Sequence, residues 1–298
     1  MTYYLRNLTS GLILLFCFGA CADDNDATQS SYVKATVQYK NVTGVDADLL
    51  SLDVYYVAQS NSFKPVVVYV HGGAWAIGDK ANSIDNKKNL FEAQGYLFVS
   101  VNYRLSPSDD ALSPNRIKFP VHNEDVADAV KWVFDNIEQY GGDPDKIALL
   151  GHSAGAHLVS LTGLSGTFLP ARGISRSMIK GVASIDTEGY DVVSQVQDQN
   201  LTYINAFGTV EEELIAASPI RNILTDVAYP RFFVARRGSA TRLAIADAFI
   251  NALTNAGVPV STVTAQQYDH EGINDAIGAP GETAVTTPLL AFFETCFN

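Results

Sequence analysis

Two short runs of the chain carry residue types whose spacing suits covalent chemistry. The first spans residues 146–161, KIALLGHSAGAHLVSL, where Gly151-His152-Ser153-Ala154-Gly155 has the pattern G-x-S-x-G. An apolar run, 147–150, enters the pattern and a helical one through Ala156, Leu158, Val159 and Leu161 leaves it. Glycines two before and two after a serine let strand and helix close around a sharp turn, which holds Oγ above the sheet beside a helix N-terminus. The second run is VYVHGGAWAIGD, 68–79. A strand of β-branched and aromatic residues ends in His71 and gives up side chains at Gly72 and Gly73, so main-chain N–H groups can approach a reacting carbonyl. Such donors stabilise the charge that grows on oxygen in acyl transfer, often by ~3 kcal/mol each. The expected donors are the N–H groups of Gly73 and Ala74, completed by that of Ala154. His71 reads as a structural hydrogen-bonding residue, and His152 as a wall of the site beside the serine.

Something must hold these two loops side by side. Strands are expected at 35–42, 50–57, 65–71, 96–103, 146–150, 180–185, 231–235 and 261–267, and helices at 85–94, 123–140, 154–164, 242–256 and 286–297. The later strands are short apolar runs without clean alternation, as expected where helices cover both faces of a mostly parallel sheet. A Gly/Asp-rich turn at 44–48 joins the first two, which suggests an antiparallel hairpin at the sheet edge. The fold class is therefore α/β, a three-layer sandwich with about eight strands.

Composition agrees. The 298 residues are 47% hydrophobic, enough for one large α/β domain. A formal net charge of −12 argues against a nucleic-acid partner, which needs clustered Lys and Arg. No metal-ligand spacing joins the five histidines, and no glycine-rich phosphate cradle occurs, so neither metal nor cofactor is expected. At the N-terminus, Arg6 precedes the apolar run 12–18, small residues and a polar stretch, 22–31. Residues 1–21 thus read as a signal segment, whose apolar run is too short for a lasting membrane span. Phe18-Gly19-Ala20-Cys21 resembles a bacterial lipoprotein signal in which Cys21 is lipidated; ordinary cleavage within Ala20-Cys21-Ala22 is the other reading. Either way the protein is expected to be exported, with 22–31 as a tether and 32–298 as the folded domain. The membrane is reached only through the anchor. With at most Cys21 and Cys296 left, no disulfide framework is indicated.

HGGAW, VNYRLSP, EDVADAVKWVFDNIEQYGGDPDKIALLGHSAGAHL and SPI, in that order, resemble the α/β-hydrolase serine esterases, specifically the hormone-sensitive-lipase-like and kynurenine-formamidase-like groups. The resemblance covers the chain from about Val33 onward. It implies that Tyr103 and Arg104 support the oxyanion loop, that Asp125 lies on the helix before the nucleophile strand, and that His270, in the loop after the last strand, is the general base. His122 and His157 are read as surface or packing residues. The acid departs from the pattern. Relatives usually carry an aspartate in a G-x-x-D turn after the seventh strand, whereas this chain has Thr241 there, and Thr241 or Ser239 reads as a helix cap. Candidates after the sixth strand, in SIDTEGYDV, are Asp186 at the strand terminus first and Asp191 as the alternative; Glu188 in the same run or Glu271 beside His270 come next, or no acid at all. Asp269 is expected to point away.

Few residues precede His71, so no large cap domain is expected, only a short lid or surface loop in 188–206. Trp75 and Tyr190 are candidate substrate contacts, with His152. Arg236 and Arg237 read as exposed loop residues rather than as binders of a substrate carboxylate. The expected partner is a small ester with a short acyl group, acetyl or aromatic, on carbohydrate among others. An arylformamidase-type amide hydrolase uses the same machinery, and a non-catalytic envelope binding protein on the same scaffold is the alternative of another class.

Overall fold

The computed structural model describes residues 32–58, 62–107 and 113–298. The expected signal segment, tether and Cys21 lie outside them. Eight strands form one sheet in the order β1-β2-β4-β3-β5-β6-β7-β8: β1 (Tyr32–Gln38), β2 (Ser51–Val57), β3 (Lys64–Val70), β4 (Leu97–Val101), β5 (Gly142–His152), β6 (Ile179–Ile185), β7 (Arg231–Arg236) and β8 (Val260–Thr264). β2 pairs antiparallel with β1 and with β4, and every other pairing is parallel. The bounds shift from expectation by a few residues. β1 begins and ends earlier than 35–42, and β5 begins at Gly142, well before the apolar run that announces it.

The apolar runs lack clean alternation because both faces of the central strands are buried. In β3, Val66, Val68 and Val70 enter one core, while Val67 and Tyr69 enter the other. α2 (Val121–Asn136), α3 (Ala154–Leu164) and α7 (Ala240–Asn255) close the first core, with Val126, Leu158 and Phe249. α1 (Asp85–Ala93) and α9 (Thr286–Phe297) close the second, with Phe91, Leu289 and Phe293. Burying such side chains contributes roughly 2 kcal/mol each against chain entropy. The open edge differs: β1 alternates half-buried and exposed residues, as a strand covered on one face should.

Between β6 and β7 the expected lid or loop is three short helices, α4 (Val192–Gln197), α5 (Leu201–Phe207) and α6 (Glu211–Ala217). A further one, α8 (Gly272–Ala276), follows β8. Among the described residues there is no large cap domain.

Candidate functional site

Ser153 sits on the turn between β5 and α3 with φ 55° and ψ −118°, a conformation that costs of order 1–3 kcal/mol for a residue with a Cβ. The surroundings impose it. The Ser153 N–H donates to the Ile185 carbonyl at 2.9 Å, tying the turn to the end of β6. Gly155 has no substitute here, since a Cβ on it would run into the Val70 carbonyl at the end of β3. Strand, turn and helix are thereby pressed together, and Oγ is left at the C-terminal edge of the sheet.

His270 lies in the loop between β8 and α8. Asp269 points away from the serine: its Oδ1 accepts the Gly272 N–H at 2.7 Å and so shapes the loop. Nε2 of His152 is 2.8 Å from the His270 carbonyl oxygen, to which its N–H donates. That contact makes His152 a brace for the loop, with burial, then the neighbouring His270, pushing the His152 imidazole down to about 3 and keeping it neutral. His270 Nε2 stands 2.8 Å from Ser153 Oγ, and its Nδ1 stands 2.6 Å from Asp186 Oδ2.

Asp186 is the residue directly after β6. Its N–H extends the ladder by donating to Ala235 at 2.8 Å, and its φ of 47° then turns the chain away. Its side chain is 3% exposed. Burial opposes the charge, yet hydrogen bonds from His270 and Arg242 outweigh it and hold the carboxyl below the ordinary carboxylate range. Arg237 Nε donates to Oδ2 at 2.6 Å and Arg242 Nη2 to Oδ1 at 2.9 Å. Of the four candidate acids, Asp186 alone meets His270. Asp191 pairs with Arg221 at 2.8 Å and accepts from Ser194 at the start of α4, Glu188 pairs with Arg242, and Glu271 lines a separate cavity behind His152.

The loop after β3, expected to supply oxyanion donors, is wound tightly, with φ 111° at Gly73, 55° at Ala74 and 60° at Trp75. The Gly73 carbonyl turns back to accept from Ala76 and Ile77 N–H, both at 3.0 Å. Gly72 packs against the serine, a Cβ on it falling 3.0 Å from that of Ser153. No hydrogen bond among the described residues occupies the N–H groups of Gly73, Ala74 or Ala154. Tyr103 supports the loop, its hydroxyl donating to the His71 carbonyl at 3.2 Å and its ring stacking on His71. Arg104 acts one step further out, gripping the fully buried Asp125 with two hydrogen bonds of 2.7 Å.

Two expectations need correction. Tyr190 is not a wall of the cleft: it is 1% exposed, its hydroxyl pairs with Ser184 at 2.7 Å and its ring stacks on Phe249, because a phenol at this turn reaches the inner face of β6. Trp75 lines the cleft, as expected, with its ring wedged against His157, Tyr203 and Phe207 and only 3% exposed. Neither Arg236 nor Arg237 is an exposed loop residue: Arg236 ends β7, half-buried and paired with Asp247, and Arg237, more deeply buried, holds Asp186. Ser239, rather than Thr241, caps α7 by accepting the Arg242 N–H at 3.3 Å. His122 and His157 are both buried, bonded to Ser106 and to the Ala217 carbonyl.

The role of Arg242 was missed in the sequence. A signal existed: a buried strand-end aspartate needs a cation, and the turn and first helical turn after the neighbouring strand, where Ile185 faces Ala235, lie beside it. No group of His, Cys, Asp and Glu among the described residues is arranged to hold a metal ion.

A family model described as BD-FAE matches residues 52–237, more than half of the chain. The chain belongs to the BD-FAE family. Esterase LipQ of Mycobacterium tuberculosis is 43% identical to this BD-FAE chain over 101 residues, 34% of this chain and 22% of that protein. Para-nitrobenzyl esterase of Bacillus subtilis is 28% identical over 228 residues, 72% of this chain and 44% of that one. The aligned segments thus span less than half the length of these relatives. Among solved structures, an inhibited esterase B from Lactobacillus rhamnosis superposes with a TM-score of 0.72 at 20% identity, covering 90% of this chain and 88% of that one. The BD-FAE chain has the α/β-hydrolase fold.

Proposed function

We propose that this protein is a serine carboxylesterase acting through an acyl-enzyme. The observation that carries the reading is the unbroken line Ser153 Oγ, His270 Nε2, His270 Nδ1, Asp186 Oδ2, with steps of 2.8 and 2.6 Å across the ring, on a strand-to-helix turn. Ser153 attacks the ester carbonyl while its proton passes to His270 Nε2, and Asp186 stabilises the imidazolium. The oxyanion is met by the N–H groups of Gly73, Ala74 and Ala154. His270 then protonates the departing alcohol, and water repeats the sequence on the acyl-serine. The esterase names of the relatives support the same class.

Short acyl groups are favoured by the cleft that contains Ser153. It measures about 160 Å³ and is walled by Trp75, Tyr203, Thr202 and Asn200, well below the roughly 300 Å³ at which sites for drug-sized ligands begin. Its polar rim suits an ester carried on a hydroxyl-rich alcohol such as a carbohydrate. The reading extends to export and a lipid on Cys21, on the N-terminal sequence pattern alone. Initial rates on p-nitrophenyl acetate and on the dodecanoate test it. The acetate is expected to turn over faster, Ser153→Ala to lose ~10⁶ in kcat, and a fluorophosphonate to label the parent only. A parent no faster than Ser153→Ala, and unlabelled, would sink it.

A further inference from the structure

The triad reading leaves two arginines unexplained. Arg237 and Arg242 both grip Asp186, one from the turn after β7 and one from the first turn of α7. The geometry points to a positioning role: the two guanidinium groups form a fork that keeps Asp186 ionised and holds its Oδ2 against His270 Nδ1.

The chemistry of the donors carries the argument. A carboxylate 3% exposed is unfavourable by several kcal/mol unless paired. Guanidinium groups only donate, so both oxygens of Asp186 are held as acceptors. His270 Nδ1 must then bear the proton, which leaves Nε2 with a lone pair for Ser153. Oδ2 is shared between His270 and Arg237, and Oδ1 belongs to Arg242, so rotation about the Asp186 side chain is blocked from both ends.

The fork is itself anchored. Gly238, with φ 94°, lets the chain turn between Arg237 and α7, and Gln266 clamps that turn by accepting the Gly238 N–H at 2.8 Å and donating to its carbonyl at 3.1 Å. Glu188, from the segment after β6, takes the other arm of Arg242 and lines the Ser153 cleft. The remaining charged or titratable neighbours are the buried Tyr190, beside Asp186 and Arg242, Tyr203 of α5, beside Glu188 and Arg242, His152 at the end of β5, Glu271 beside His270, and the buried Lys87 of α1, whose charge acts on His152. Arg236 faces Asp247 and takes no part.

The inference rests on the triad reading, and the two fail separately: retained turnover in Ser153→Ala would end the triad, whatever the arginines do. For the fork, kcat, KM and the pH profile of kcat/KM on p-nitrophenyl acetate are measured for Arg237→Gln, Arg242→Gln, the matching lysine variants and Glu188→Gln, with melting temperatures alongside. Each glutamine variant should lose about tenfold in kcat, as for a hydrogen bond to a charged group, with KM within about twofold. Each should also move the acid limb up by about half a pH unit, because a positive charge opposing the imidazolium has gone. The lysine variants should restore the limb and part of kcat. Glu188→Gln should move the limb the opposite way, since it removes a negative charge. An unchanged kcat, or a loss with the limb fixed and no rescue by lysine, would reduce the arginines to structural ties. Should a glutamine variant fail to fold, the lysine and Glu188→Gln limbs decide, and a limb unmoved by Glu188→Gln overturns the proposal.

Discussion

Asp186→Asn exposes the logic of the site most sharply, because the fork dictates how the new amide must sit. In one orientation the amide oxygen stays at the Oδ2 position, accepting from His270 and Arg237, and the NH₂ group confronts Arg242. In the other, the NH₂ group faces His270 and Arg237, which forces the wrong imidazole tautomer. The arginines break the tie. Arg242 retains Glu188 when refused, whereas Arg237 has no other hydrogen-bond partner among the described residues. The first orientation should therefore prevail, with His270 still offering a lone pair to Ser153. What is lost is the negative charge 2.6 Å from the ring. An opposite charge at such range stabilises the imidazolium by 1–3 pH units, and with Arg237 left uncompensated the upper end applies, so kcat should fall ~10³-fold. Loss of the correct tautomer as well would bring the deficit to ~10⁴. Steady-state kcat on p-nitrophenyl acetate for Asp186→Asn beside Asp186→Ala reads the difference. A loss under tenfold would refute Asp186 as the acid; a loss equal to that of Asp186→Ala would refute the orientation argument.

Three other outcomes follow from the same structure. Asp191→Asn should keep kcat within about twofold, since Asp191 is engaged with Arg221 and Ser194, and a large loss would reopen the choice of acid. Trp75→Ala should lower the unfolding free energy by ~3–5 kcal/mol in urea titrations, because the ring is packed on three aromatic neighbours; a loss under 1 kcal/mol would contradict that packing. Burial holds His122 and His152 down to about 3 and His157 down to about 4. Each is neutral when folded and takes a proton near its ordinary value, about 6.5, when unfolded. Their contribution is thus complete above pH 6.5 and lost as pH falls toward 4 for His157 and toward 3 for His122 and His152, by roughly 2 kcal/mol per histidine between pH 6.5 and 5. Equal stability at pH 7.5 and 5 would refute it.

The sheet and the strand-to-helix turn at Ser153 were legible because local and global demands coincide there. A strand buried on both faces must be an unbroken apolar run, and 66–70 and 147–150 are. The Gly151 and Gly155 pair is required by a collision that any Cβ would cause. The helices α4–α6 were not legible. They are six or seven residues long in a polar stretch, too short for a helical period to emerge, and form because Val192, Tyr203, Phe207 and Leu214 dock on the core. Tyr190 misled for a related reason, since an aromatic residue beside a glycine turn fits a cleft wall as well as the inside of β6.

Arginine was the residue type that the sequence hid most completely. A loop arginine is exposed by default, and nothing local marks Arg237 as different from Arg236. The difference is one step of the backbone at the end of β7, where Arg236 faces Asp247 and Thr264 while Arg237 faces the end of β6. Placing the carboxylate on β6 puts it beside the C-terminal end of β7, because the two strands are paired in register up to Ile185 and Ala235. An acid on β6 and a cationic turn after β7 therefore belong to one solution: the turn keeps its place near the histidine and supplies the groups that hold the carboxylate.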